Sequence, residues 1–518
     1  MCAATAATAQ PPDSRDDRQE KFEPQVIHSP YPIDFPTPPQ VLARIEGPCG
    51  LVFRSPHGSV PRMWYARVVF IGLIVMVSQA SLLWADDEGE VTIGRKFSLV
   101  INAQLPLIRD ATVRRYVQRL GQHLVAHLEN AEFTYYFAVI QEPHINAFAA
   151  PGGYIYVHSG LIQRVQSDDE LASVLGHEIA HVQGHHMVRQ QQDTKLLSYA
   201  GLASLALAII NPVLAAGVSS VSGVKQLQYQ RQLEEEADYR GLHYLAQAGF
   251  DPRAMPRFFE TMQQEDRLNG VDVPVYLRSH PLSKERLSYI ERTLKTLNWN
   301  QTAPTDTFEL RKVQAILRAS QESRSRVIPD YERQLAEEPE NPQAMALLAT
   351  ALLQYNDWQR AQQLLEQAAA KGLRLNRELG ITYLRLGQTA RARQLFLQQR
   401  KVDPQDADTH NQLCSLSFKE GKQEEAQQSC RAALNIDPYL DESFMTLAQL
   451  AQQQGKSGEA RLLLAQAMEL QGRMDAALNQ YQQAVQLLGP EHERTDELTA
   501  KTKELEELVS QLGKGSRR

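Results

Sequence analysis

Cysteine is scarce in this chain of 518 residues: Cys2, Cys49, Cys414 and Cys430 are all it has. Four are too few for a disulfide scaffold or a cysteine-rich zinc module. A basic excess is lacking too, since 54 Lys and Arg face 61 Asp and Glu, a net charge of −7. Phosphate binding needs a concentrated basic surface, which argues against nucleic acid as the main partner. Histidine nearly vanishes after His280, where only His410 and His492 occur, while ten of the fourteen lie between His123 and His280. Imidazole chemistry therefore belongs to the middle third. What is present is ordinary for folded protein, 43% apolar and 22% charged, and the length calls for two or more domains.

Residues 1–62 hold eleven of the 26 prolines and no apolar periodicity, and they read as a disordered or mis-called N-terminal extension. Residues 63–85 differ. Arg62 and Arg67 precede an apolar run from Val68 to Val77, short for a bilayer span and right for a secretory h-region, with Ala80 or Ala85 as cleavage points. This segment is expected to be a signal peptide; the alternative is a signal anchor behind a cytoplasmic tail. No cysteine follows it to serve as a lipid anchor site.

From Asp110, apolar residues at Val113, Val117, Leu120 and Leu124 predict a helix. Phe133 to Ile140 predicts a strand, and a second extended segment from Asn146 leads through Pro151-Gly-Gly into Tyr154–Val157. Ser167 with Glu170 forms a capping box opening a helix at Asp168. That helix carries His177-Glu178-Ile-Ala-His181. Histidines at i and i+4 face one way and can reach one metal ion, and the glutamate between them can take a proton from an attacking water. Leu171, Val174, Leu175 and Ile179 make this a buried helix, where two idle histidines would be costly. His185 lies about 12 Å along the axis from His177, too far to share a tetrahedral site; with His186 it reads as a surface or supporting group. A third ligand should come from the acidic helix Arg231-Gln-Leu-Glu234-Glu-Glu-Ala-Asp238, but spacing alone does not choose among Glu234, Glu235 and Glu236. Between the two helices, Leu196 to Val218 is apolar but broken by Asn211-Pro212, and reads as a buried helical hairpin over the site rather than a membrane crossing.

Residues 90–293 resemble the gluzincin superfamily that contains the CaaX-type endoproteases and the HtpX-type heat-shock proteases. The pattern HExxH followed by Arg-x-x-Glu-x-x-Ala-Asp is matched by His177, Glu178 and His181, then by Arg231, Glu234, Ala237 and Asp238. The order signal peptide, protease, helical repeats resembles the periplasmic BepA-type branch. The resemblance implies one Zn2+ per subunit held by His177, His181 and Glu234, with Glu178 catalytic and Asp238 and Arg231 supporting the ligands. It implies that Asn146, Ala147, Phe148 and Ala149 form the edge strand that pairs with an extended substrate. His280-Pro281-Leu282 with Arg286 also matches, and implies that His280 is a latch on the open metal position; by itself, a histidine before proline reads as a turn residue.

From residue 325 a period of about 34 residues appears. Gly380, Tyr383, Gly387, Ala392, Phe396 and Pro404 make the clearest unit. Cys414, Gly421, Ala426, Cys430 and Pro438 make the next, and Ala349, Ala361, Leu365 and Ala368 an earlier one. This resembles tetratricopeptide repeats. After Asp441 the register shortens, through Gly455, Ala460, Gly472, Ala477 and Tyr481, and a charged helix from Glu493 to Leu512 should cap the stack. Cys414 and Cys430 fall on the two helices of one repeat, which suits a disulfide in an oxidising compartment and equally two small core residues.

The expected fold is α+β, mostly α: a zincin-like metalloprotease domain at 86–300, a linker at 301–324 and an α-solenoid at 325–518. The resemblance implies a periplasmic zinc endopeptidase acting in quality control or assembly of outer-membrane and other envelope proteins. Unfolded or misassembled envelope proteins would be its clients, and the repeats would recruit them or the outer-membrane assembly machinery. The second reading is a mostly latent protease serving as a repeat chaperone or scaffold. The protein would be secreted or anchored in the inner membrane facing the periplasm, with peripheral membrane contact open.

Overall fold

The computed structural model describes residues 89–190, 201–202, 223–269, 275–299 and 307–515. The N-terminal extension, the signal peptide and nearly all of the Leu196–Val218 segment lie outside the described residues. No helix among the described residues is long and apolar enough to cross a membrane.

Helix α1 covers residues 89–104, and α2 runs Ala111–Val125. The Asp110 carboxylate caps α2, accepting from the backbone N–H of Thr112 at 2.9 Å and of Val113 at 3.1 Å. Three strands follow: β1 (Tyr136–Ile140), β2 (Ala147–Ala150) and β3 (Tyr154–His158). β3 is central, parallel to β1 and antiparallel to β2, so β2 is an edge strand. The β2–β3 turn needs Gly153, at φ 94°, because a Cβ there would meet the Thr134 carbonyl oxygen at 2.3 Å.

The sheet is covered on both faces. Phe137, Val139, Ile155 and Val157 join a core with α2 and with α4 (Asp168–Gln183), which follows the short α3 (Ser159–Arg164). Phe148, Tyr154 and Tyr156 face the other way, onto Phe97 of α1 and onto residues near the C-terminus. The Ser167 hydroxyl caps α4 by accepting from the Glu170 N–H, while the Glu170 carboxylate reaches back to the Gln166 N–H at 2.8 Å. This is the expected capping box with its return bond one residue earlier. After α5 (His186–Gln190) the next described long helix is α6 (Gly223–Gln247), followed by α7 (Ala254–Asn269), α8 (Val275–Ser279) and α9 (Lys284–Thr296).

Part of the expected linker is a helix, α10 (Phe308–Gln321). Leu310, Val313, Ile316 and Leu317, at amphipathic spacing, sit in the core shared by the sheet, α2 and α4. Eleven further helices, α11 (Arg324–Glu337) to α21 (Thr495–Gly515), build the solenoid. Gly387, Gly421 and Gly455 recur at the repeat period with φ of 76°, 74° and 76°, closing equivalent turns. Cys414 on α16 (Ala407–Lys419) and Cys430 on α17 (Gln423–Ile436) are joined as a disulfide and are both fully buried. The solenoid returns to the sheet: Met474, Tyr481, Leu498, Leu505 and Leu508 pack with its second face. Arg114 of α2 pairs with Asp437 and donates to the Tyr439 carbonyl at 3.1 Å. Arg115 lies 3.4 Å from Asp403 and 3.3 Å from Asp406.

Candidate metal centre

Helices α4 and α6 touch through two glycines. A Cβ on Gly241 would lie 3.2 Å from the backbone nitrogen of His177, and one on Gly176 would lie 3.5 Å from the Gly241 carbonyl oxygen. Glu234, Asp238 and Gly241 share one face of α6, so this contact carries both carboxylates to the histidines of α4.

His177, His181, Glu234 and His280 each present a ligand atom within 4.8 Å of all the others. The Nε2 atoms of His177 and His181 are 3.0 Å apart, and His280 Nδ1 is 3.3 Å from His177 Nε2. His280 Nδ1 is also 3.1 Å from each carboxylate oxygen of Glu234. Asp238, fully buried, faces Nδ1 of His177 at 3.1 Å. It thereby fixes the ring and turns Nε2 towards the cluster. The donor set suits a divalent cation of borderline softness, because imidazoles and one carboxylate converge on one another. Burial opposes charge on His177, but the adjacent Asp238 and Glu234 carboxylates hold it up at about 10. Burial would raise the Glu234 carboxyl, yet the surrounding imidazoles hold it well below the usual range.

Glu178 is buried beside the cluster, its Oε1 3.4 Å from His280 Nε2. Burial pushes its carboxyl upward against the pull of His280 and His177. The backbone N–H of Ala149 in β2 also favours its ionised form, so the glutamate lies against the edge strand. Ala147 and Phe148 are buried in that strand, and Asn146 precedes it. The chain before β2 is tied to the His280 segment, since the Tyr276 N–H donates to the Ile145 carbonyl at 3.1 Å.

Arg231 is exposed on α6. The arginine that reaches the carboxylates is Arg286 of α9, which is 1% exposed. It forks onto Asp238 with two bonds of 2.8 Å and lies 3.0 Å from Glu234 Oε2. The sequence places Arg286 near the His280 motif but assigns it no partner. Spacing likewise marks His186 only as a surface or supporting group. His185 adopts φ 51° after Gly184 ends α4, and this folds His186 back until its Nδ1 is 2.8 Å from Nδ1 of His181. His185 itself turns away to Glu90 and Glu132.

A short mixed sheet with an edge strand, backed by two helices that converge His, His and Glu, defines a zincin-like metallopeptidase domain, here followed by an α-solenoid. Family comparisons give the same division. The model for peptidase family M48 matches residues 111–294, and tetratricopeptide-repeat models match 321–374 and 446–492. The chain thus carries an M48 peptidase domain with C-terminal tetratricopeptide repeats. It is 34% identical over 237 residues to a putative beta-barrel assembly-enhancing protease of Vibrio cholerae, covering 44% of this chain and 49% of that one. It is 34% identical over 207 residues to the beta-barrel assembly-enhancing protease of Escherichia coli K12, covering 38% and 42%. The mitochondrial metalloendopeptidase OMA1 of Arabidopsis thaliana is 37% identical over 161 residues, 31% of each chain. The match spans about half or less of the length of these relatives.

Proposed function

We propose that this protein is a zinc-dependent endopeptidase of the periplasm, acting in quality control or assembly of outer-membrane proteins that its repeats recruit. The observation that carries the reading is the convergence of His177, His181 and Glu234 beside Glu178, with Glu178 against edge strand β2. The names of the bacterial relatives support the client class. His177, His181 and Glu234 would hold zinc, which would supply Lewis acidity towards a peptide carbonyl and water. Strand β2 holds an extended segment by backbone pairing, which tolerates many sequences. Glu178 takes the proton of the attacking water and returns it to the leaving amine. His177 is oriented by Asp238, and His280 closes the site by standing among the ligands.

Glu178→Gln tests the reading: cleavage of an unfolded client such as casein should stop while zinc still binds. Persistent cleavage would sink it. The position of His280 favours a second reading, a mostly latent enzyme whose repeats act as a scaffold. Full rescue of a deletion strain by Glu178→Gln would select that alternative. A mature chain beginning after residue 80 or 85, read by N-terminal sequencing, is the outcome expected of a cleaved signal peptide.

A further inference from the structure

One guanidinium joins the metal ligands to the latch. Arg286 Nε and one terminal nitrogen fork onto Asp238 at 2.8 Å each, and its other terminal nitrogen, Nη1, is 3.0 Å from Glu234. That Nη1 also donates to the carbonyl of Pro281, the residue after His280, at 2.9 Å. The turn is pinned on its other side by the His280 N–H, which donates to the Tyr276 carbonyl at 2.8 Å. Two elements that are distant in sequence, the ligand face of α6 and the turn between α8 and α9, thus meet on one buried cation. The donors of Arg286 are directed to Asp238, Glu234 and the Pro281 carbonyl. Its influence must pass through Glu234, Asp238 and the turn.

We propose that Arg286 is a positioning residue that binds the ligand pair Glu234 and Asp238 and the His280 turn into one unit, so that metal affinity and latch seating are set together. Planar guanidinium geometry makes this possible, because five donors in a fixed fork serve two carboxylates and a carbonyl at once. An ammonium is a single point charge and cannot hold all three in place. Loss of the fork therefore loosens His280 as well as Glu234.

The inference rests on the metal reading of the cluster. The test uses the full chain, Zn2+ competed against a chromophoric chelator, and Co2+ absorption as a report of coordination. Arg286→Lys and Arg286→Gln are compared in wild-type and His280→Ala backgrounds. Arg286→Lys should weaken Zn2+ binding by about 10- to 100-fold, the range typical of outer-shell partners. It should also shift the Co2+ visible band in the direction that His280→Ala shifts it. In the His280→Ala background the same substitution should cost several-fold less, because the latch is already gone. An equal cost in both backgrounds, or no cost in a folded variant, overturns the coupling. If Arg286→Gln fails to fold, Arg286→Lys, which keeps the charge that Asp238 needs, carries the comparison alone. A wild-type chain that binds neither metal would defeat the metal reading itself, a result distinct from equal binding by all variants.

Discussion

The backbone nitrogen of His177 passes so near Gly241 that a Cβ on that glycine would stand 3.2 Å away, closer than backbone tolerates without movement. Both sides of this contact bear on the metal centre, since α4 carries the histidines and α6 carries Glu234 and Asp238. Gly241→Ala should gain up to about 1 kcal/mol from helix propensity if the site had room. The contact is with backbone, so the helices must part instead, at a cost of ~1–3 kcal/mol. The net effect expected is a lower melting temperature together with weaker Zn2+ binding. A stabilised variant with unchanged affinity would refute the close-approach argument.

Glu178→Gln should lower turnover of an unfolded protein by at least 100-fold, the smaller end of what a general base contributes. Its Zn2+ affinity should stay within a few-fold of wild type, because Glu178 is not among the four converging ligand residues. Stopped assays and chelator competition on one preparation separate the two effects.

His280→Ala removes the imidazole that stands 3.1 Å from both oxygens of Glu234. Proteolysis of casein, or self-cleavage, should rise. Activity equal to wild type would leave the latch without support.

Asp408 offers a pH test away from the metal. Burial raises its carboxyl from 3.8 to about 6, and Asp406 adds to this, against the pull of Arg377 at 4.0 Å. The ion pair alone would argue for a lowered value, but Arg377 is shared with Glu378 and Asp406, so burial dominates. A carboxyl raised on folding lends stability below its unfolded value and loses it as pH climbs through about 6. Asp408→Asn should therefore be more stable than wild type by ~1–3 kcal/mol at pH 8, with the advantage shrinking by pH 4. Thermal melts across that range check it; a pH-independent difference would contradict it.

The Cys414–Cys430 bond closes a span of 16 residues within one repeat. Its removal by reductant or by Cys414→Ser should cost about 3 kcal/mol, the amount expected for a loop of that size. Intact mass should rise by two hydrogen atoms on reduction, one on each sulfur. No change in mass would mean that the pair is two separate thiols.

Local chemistry made the first half of the site legible. Two histidines one turn apart on an apolar helix, and a serine with glutamate three residues on, are short-range signals, and α4 begins and runs as they require. The choice of Glu234 was different in kind: three consecutive glutamates look alike in sequence, and only the family resemblance separated them. Arg286 lay beyond local reasoning because its bond to Asp238 spans 48 residues and a change of element. His186 was hidden by a left-handed residue that no helical spacing anticipates. The helix within 301–324 is legible in the sequence, because Leu310, Val313, Ile316 and Leu317 carry its periodicity openly. Nothing in the repeat pattern disclosed that the array's last helices would cover one face of the protease sheet, since that closure depends on superhelical curvature.

Arg114 and Arg115 are neighbours on α2, yet they hold Asp437 and Asp403, which lie one full repeat period apart and each precede a proline. Two adjacent side chains can grip both corners only at one spacing between successive repeats. A solenoid is a spring whose pitch is set by small rotations at each repeat. Here a rigid gauge is laid across two of its coils, and the gauge is a helix whose far turns lie in the same core as α4. Stretching or twisting the array would prise one arginine loose before it moved the other.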